Sequence, residues 1–394
     1  MAKSGEDRAG LAPETAIVHA GRDKDLTGPF VNPPVVHAST VLFDSVDDML
    51  GRRQRYSYGR RGTPTIEALS GAVSELEGAA GTVICPSGLS AVATALLASV
   101  SAGDAILMAD CVYAPSRHFA DGVLKRLGVE TVYFDPTIGA GIEALLGPRT
   151  RAVYLESPGS LTFEMQDIPA IVAIAHAHAA IVIADNTWAT PLYFKPLAHG
   201  VDLSLQAATK YLGGHSDVML GTVSANAEHW PSLYETHHSL GLCAGPDDIY
   251  LTLRGMRTLA VRLDRQMGSA IEVAAWLTRR PEVARVLHPA LPGDPGHQLW
   301  QRDMNGASGL FGFVLAGWSE AEAKRFIDGL RLFGIGASWG GYESLAILAR
   351  LTRARTATAP PPQGPLIRLH IGLEDPKDLI ADLARSFAAV AASR

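Results

Sequence analysis

The succession of apolar runs predicts an α/β protein with a mostly parallel central sheet, a smaller C-terminal α/β domain and an N-terminal arm. Three observations carry this. Between about residues 61 and 255, short apolar runs alternate with Ala-rich helical stretches, the pattern of a parallel sheet covered on both faces. From about 256 onward a long amphipathic stretch precedes a few more widely spaced strands. Residues 1 to about 60 are rich in Pro, Gly and charge, with few periodic apolar positions, so they cannot build a core alone. A chain of 394 residues also exceeds one ordinary core. The expected divisions are therefore 1–60, 61–255 and 256–394.

Within the central region the expected strands are Thr82–Ile84, Ala105–Met108, Thr131–Phe134, Ala152–Leu155, Ile181–Ala184 and Leu203–Leu205. Helical stretches such as Ser90–Val100 and Pro169–Ala179 lie between them. The later part holds a helix over Leu259–Leu277, the strand SGLFGFVLAG, a helix near 319–331, the strand LIRLHIGL and a helix from about 376. TATAPPPQGP (356–365) reads as a Pro-rich loop.

Composition narrows the function. A formal net charge of −6 gives no electrostatic reason to expect a nucleic-acid partner. The most apolar stretch, Ile168–Ala184, is broken by Pro169, His176 and His178 and ends at Asp185, which suits a buried helix and strand better than a membrane span. The start, MAKSGEDRAG, lacks the apolar core of a secretory signal. The three cysteines, Cys85, Cys111 and Cys243, form no CxxC pair, so a reducing cytoplasm is the expected compartment. His176 and His178 sit two apart in a helix and do not share a face, and no metal is expected.

In a parallel sheet, ligands gather beyond the carboxyl ends of the strands. That rule directs attention to Ser87-Gly88, Asp110, Glu156-Ser157-Pro158, Asp185-Asn186 and Thr209-Lys210. No Gly-Lys dipeptide, strand-following GxGxxG or GxSxG elbow occurs, which disfavours a P-loop, a dinucleotide fold and an α/β-hydrolase.

Lysine is scarce, with seven residues against 27 arginines. An aldehyde cofactor requires lysine, because arginine does not give up its proton to attack a carbonyl. Lys210 alone follows an apolar strand, in DLSLQAATK, and precedes YLGGHSD. Asp185 closes the strand IVIAD, where a lone buried carboxylate is costly without a partner; a protonated pyridine nitrogen would serve. An ordinary aspartate capping the turn DNTW is the plainer reading. PSGLSAV puts Gly88 and Leu89 at the opening of a helix, where free N–H groups attract anions, and Thr209 adds a hydroxyl. Tyr58 and Arg60 are further donors, although Arg52, Arg53, Arg55 and Arg61 also fit a plain basic surface run.

DLSLQAATKYLGGHS resembles the cofactor-lysine signature of the pyridoxal-phosphate enzymes of cysteine and methionine metabolism. YGRRGTPT, LESPGS, ADNTWAT, SWGGYESL and LIRLHIGLED resemble the bacterial cystathionine β-lyases within that family, and the likeness runs from about Val18 to the C-terminus. It implies the fold called type I, or PLP-dependent transferase-like, and the cofactor pyridoxal 5′-phosphate. By position, Lys210 would bind the cofactor covalently and move protons, Asp185 would pair with the ring nitrogen, and Tyr113 would stack on the ring and take part in catalysis. Gly88, Leu89 and Thr209 would hold the phosphate, joined by Tyr58 and Arg60 from a neighbouring subunit of a dimer or dimer of dimers. Arg368 would grip the substrate carboxylate, with Ser338 and Trp339 beside it. Many relatives carry Ser where this chain has Ala207, and γ-acting ones commonly carry Asn where it has Ser160. Both differences favour β-elimination of L-cystathionine and other cysteine S-conjugates over γ-chemistry.

Overall fold

The computed structural model describes residues 10–51, 53–351, 355–358 and 364–393. Residues 1–9 of the expected arm, Arg52, and 359–363 of the Pro-rich loop lie outside the described residues.

Seven strands form the larger sheet: β1 (Gly81–Cys85), β2 (Ala105–Ala109), β3 (Glu130–Phe134), β4 (Thr150–Glu156), β5 (Ile181–Asp185), β6 (Leu203–Gln206) and β7 (Gly221–Ala225). Their order is β1-β7-β6-β5-β4-β2-β3. All six expected runs are strands. The pairs β2–β3, β2–β4, β4–β5 and β5–β6 are parallel, whereas β7 runs antiparallel to both β1 and β6. Every residue of β1, β2, β6 and β7 is buried. The strand that the apolar pattern did not reveal is β7, whose GTVSA has one branched apolar side chain among small and hydroxyl residues.

The second sheet comprises β8 (Val283–Leu287), β9 (Leu310–Leu315), β10 (Gly334–Ile335), β11 (Leu345–Ala349) and β12 (Leu366–His370), ordered β10-β11-β12-β9-β8. Helices Glu320–Asp328 and Pro376–Ala391 pack with it through Phe326 and Phe387, whose rings stack at 4.3 Å. Each such buried ring side chain contributes roughly 1.5–3 kcal/mol relative to exposure. The helix Leu259–Leu277 joins the two cores: Leu259 and Leu263 belong with the larger sheet, and Val273 and Leu277 with the smaller.

Among its described residues the arm carries the short α-helices Pro13–His19, Lys24–Thr27 and Val46–Gly51. Ile17 and Ala20 are buried, and Arg257 donates to the carbonyl of each at 2.7 Å. Farther along, Phe30, Leu42 and Leu50 are 74%, 86% and 74% exposed. The arm's beginning is therefore fixed on its own chain, while its apolar remainder lies bare.

One clasp ties the connection between β11 and β12 to the larger sheet. Asp110, directly after β2, is fully buried and paired with Arg117. Its carboxylate accepts the backbone N–H groups of Thr356, Ala357 and Thr358 at 2.9, 2.9 and 3.0 Å.

Candidate active site

Parallel strands deliver the ends of their sequences to one edge of the sheet. There β4 ends in Glu156 and β5 in Asp185. The strand β6 stops at Gln206, so Lys210 is carried by a turn four residues beyond it rather than by the strand itself. A cavity of about 320 Å³ lies at this edge. Its walls hold Gly88, Leu89, Tyr113, Asp185, Thr209 and Lys210 from the larger unit and Ser338 and Trp339 from the segment before β11.

Lys210 Nζ donates a 2.6 Å hydrogen bond to Ser338 Oγ and lies 5.4 Å from the centre of the Trp339 ring. Burial, and then the Arg368 charge, bring its ammonium down to about 8, against a smaller opposing pull from Asp185. A free amine is therefore accessible near neutral pH, which nucleophilic attack on an aldehyde requires. The remaining described lysines, among them Lys125, Lys195, Lys324 and Lys377, are exposed.

Asp185 is pushed up to about 6 by burial, while the Thr187 hydroxyl and amide and the Lys210 charge pull the other way. Thr187 donates to Asp185 Oδ1 from its N–H at 3.0 Å and from its hydroxyl at 2.5 Å. Asp185 caps the turn DNTW and also lines the cavity. The Thr187 hydroxyl in turn accepts the Ala207 N–H at 2.9 Å. It thus links the end of β5 to the turn bearing Lys210, a role no single-residue signal in the sequence disclosed.

The phosphate-holding expectation rests on the helix Gly88–Ser99. Ser87 caps it by accepting from Ser90 N–H, which leaves the Gly88 and Leu89 amides at the helix opening. A Cβ on Gly88 would stand 2.7 Å from Ala207 Cβ, so only glycine lets these two backbones approach. Thr209 donates its hydroxyl to Leu220 O at 3.0 Å and accepts from Leu220 N–H at 2.9 Å. Its donor is thus already engaged within the chain.

Arg368 lies in the middle of β12 and is buried. Its Nη2 donates to the carbonyls of Ala337 and Ser338 at 2.9 and 3.2 Å, so it braces the wall opposite the larger sheet. Burial lowers its guanidinium to about 10. Tyr113 is 46% exposed in the cavity, and burial and Glu156 raise its phenol. Ser160 and Glu156 complete the wall; Glu156 was singled out only as a strand end.

Three expected residues do not line this cavity: Arg368 stands behind its Ala337–Ser338 wall, and the other two are Tyr58 and Arg60. Tyr58 pairs with Thr40 in an isolated bridge, and Arg60 lines a separate cavity of about 510 Å³, donating to His238 O at 2.9 Å. Neither residue lines the Lys210 cavity of its own chain.

The group implied by the resemblance can be tested against these walls. An amine with a depressed proton affinity, a buried carboxylate at the far strand end, an aromatic ring and a glycine-walled helix opening suit an aldehyde-bearing pyridine phosphate in chemistry and in size. Comparison with known proteins agrees. Residues 14–388 match the family described as Cys/Met metabolism PLP-dependent enzyme. The chain belongs to that family. It is 57% identical over 382 residues to a protein of Rhizobium johnstonii, covering 96% of each chain. It is 48% identical to a cystathionine beta-lyase of Escherichia coli, covering 96% of this chain and 98% of the other. A crystal structure of cystathionine gamma synthase from Xanthomonas oryzae superposes with a TM-score of 0.89 at 34% identity, covering 98% of this chain and 100% of that one. The fold and the pyridoxal 5′-phosphate dependence expected from the sequence are thereby established for the family to which this chain belongs.

Proposed function

We propose that this chain is a carbon–sulfur lyase that breaks L-cystathionine by β-elimination, giving homocysteine, pyruvate and ammonia. The observation that carries this reading is the enclosure of the Lys210 amine and the Asp185 carboxylate in one cavity, in a chain so similar to a cystathionine beta-lyase.

When bound, pyridoxal 5′-phosphate supplies an electron sink that allows a proton to leave the α-carbon and the Cβ–S bond to break. The chain's residues do the rest. Lys210 anchors the cofactor and, once its amine is released, takes the α-proton at Nζ; Ser338 Oγ, 2.6 Å away, aims that nitrogen. Positioned proton transfer of this kind contributes typically 10²–10⁴-fold. Asp185 holds a negative charge toward the ring nitrogen, and Thr187 keeps its carboxylate in place. Tyr113 covers the ring and takes part in proton movement. Gly88 and Leu89 meet the phosphate with their amides, with Thr209 beside them. Arg368 fixes the substrate carboxylate in a fork geometry, next to Ser338 and Trp339.

The arm fits self-association into a dimer or dimer of dimers, with Tyr58 and Arg60 completing a neighbour's phosphate site. Its exposed Phe30, Leu42 and Leu50 support this, since several large apolar side chains left bare on one segment suit a surface to be covered. The divisions 1–60, 61–255 and 256–394 then become the arm, the cofactor-holding unit and the unit bearing Arg368. Cys85, Cys111 and Cys243 are unpaired, which suits a cytoplasmic setting. Among the described residues no helix is long and apolar enough to cross a membrane.

Ser160 and Ala207 line the cavity where they favour β- over γ-cleavage. Incubating purified protein with L-cystathionine and assaying free thiol and both keto acids decides the matter. Pyruvate with homocysteine is the expected outcome; 2-oxobutyrate with cysteine would assign the chain to γ-chemistry instead.

A further inference from the structure

Glu156 and Asp185 are direct partners in the parallel register of β4 and β5. Adjacent strands run about 4.8 Å apart, and both side chains line the Lys210 cavity. Two buried carboxylates so placed cannot both carry full charge unless each has its own compensation. Their surroundings decide which keeps a proton. Asp185 accepts two hydrogen bonds from Thr187 and feels the Lys210 charge. Glu156 Oε2 accepts the Tyr113 N–H at 2.6 Å, and its carboxyl interacts with the Ser160 hydroxyl. Among the described residues, no cation acts on Glu156 as Lys210 acts on Asp185. The other charged or titratable groups around the pair are Tyr113, Arg368, Tyr154 and Cys111, with Glu164 and Arg355 beyond Cys111.

Tyr113 makes the Glu156 contact consequential. It opens the helix Ala114–Phe119 without a side-chain cap, and its ring is half exposed. Packing therefore does little to hold that ring over the cavity. The Tyr113 carbonyl accepts from the Ser116 and Arg117 N–H groups, and the main-chain bond to Glu156 ties its amide to the cavity wall.

We propose that Glu156 is a positioning residue acting as a neutral, proton-bearing carboxylic acid, which pins the Tyr113 amide to the cavity wall and leaves Asp185 as the single ionised carboxylate facing a bound pyridine ring. This rests on the placement of the cofactor given above. Burial and the Asp185 charge push the Glu156 proton affinity well above the usual carboxylate range, whereas Asp185 rises only to about 6. Each carboxylate has two donors, but only Asp185 also has a cation, Lys210, acting on it, so the proton of the pair rests on Glu156.

The variants Glu156→Gln, Glu156→Ala and Asp185→Asn separate the possibilities. Each is purified, stripped of cofactor and titrated with pyridoxal 5′-phosphate, and the pH midpoint of the bound-cofactor absorbance is recorded. Glutamine mimics a protonated glutamate, so Glu156→Gln should hold the cofactor within about threefold of the parent and leave the midpoint in place. Glu156→Ala removes the acceptor for Tyr113 and should weaken cofactor binding about tenfold, the equivalent of one lost hydrogen bond. In the parent, infrared difference spectra at neutral pH should contain a protonated-carboxyl band that Glu156→Gln abolishes. Loss of affinity in the glutamine variant equal to that in alanine, a shifted midpoint, or absence of that band would each overturn the proposal. The glutamine and infrared results stand even where the alanine variant does not fold. Asp185→Asn tests the cofactor placement separately: parent-like binding and spectrum there would reject that placement whatever Glu156 does.

Discussion

Lys210 Nζ and Ser338 Oγ meet at 2.6 Å, one from the turn after β6 and the other from the segment leading to β11. The reactive amine is thus aimed by the second sheet, not by the strand that delivers it. Replacing Lys210 with Ala should abolish turnover together with the absorbance that accompanies cofactor attachment. Ser338→Ala should keep the attachment and lower kcat/KM about tenfold, the cost of one hydrogen bond that orients the base. Steady-state kinetics with L-cystathionine, read beside the absorbance spectrum, check both.

The pH dependence of cofactor loading follows from two groups shifted toward each other. Asp185 must be ionised, which requires pH above about 6, and Lys210 must be neutral, which requires pH above about 8. The loading rate should therefore climb in two steps and level off well below the 10.5 of an ordinary lysine. Asp185→Asn should remove the lower step only. Stability moves in opposite senses in the two windows. Between 3.8 and about 6 the folded chain binds the Asp185 proton more tightly than the unfolded chain, so this contribution is lost as pH rises. Between about 8 and 10.5 the unfolded chain holds the lysine proton more tightly, so stability gains with pH. Stopped-flow absorbance measures the loading, and urea titration at each pH measures the stability.

Subunit mixing tests the separation of Arg60 from its own cavity. Arg60→Ala and Lys210→Ala should each yield poorly active or inactive assemblies. In a mixed assembly one site receives an intact Lys210 from one chain and an intact Arg60 from the other, so turnover should return. Denaturing and refolding the two variants together, against each alone, gives the comparison; no recovery would place both residues in one subunit's site.

The Asp110 clasp predicts a stability effect far from any substrate contact. Asp110→Ala leaves the Arg117 guanidinium buried without its carboxylate and strips the amides of Thr356, Ala357 and Thr358 of their acceptor. A loss of about 3–5 kcal/mol is expected from breaking one side of a buried pair. The urea midpoint should fall accordingly.

Much of this architecture is legible in the sequence, because buried parallel strands are apolar throughout. Runs such as IVIAD announce both the strand and the residue that ends it. Asp185 stood out as a polar group where an apolar strand stops, and Lys210 as a scarce lysine shortly after one. Less legible was anything whose meaning depends on a neighbour. The strand β7 pairs antiparallel through small residues and carries no apolar run. Glu156 is an unremarkable strand-end acid until register sets it beside Asp185, and Thr187 is an ordinary turn residue until its hydroxyl is seen to join β5 to Ala207. The bracing of the Ala337–Ser338 backbone by Arg368 likewise joins positions some 30 residues apart, which no local pattern encodes.

The register that pairs Glu156 with Asp185 also limits how this scaffold can be altered. Successive side chains along a strand alternate between its two sides, so one residue inserted within β5 would rotate the terminal carboxylate into the layer of helices and present an aliphatic side chain in its stead. The connections at the opposite edge of the sheet, such as the turn from His199 to Val201, impose no such parity. Length variation among natural or engineered versions should therefore accumulate on that far side, and the strands that converge on the cavity should keep a constant count.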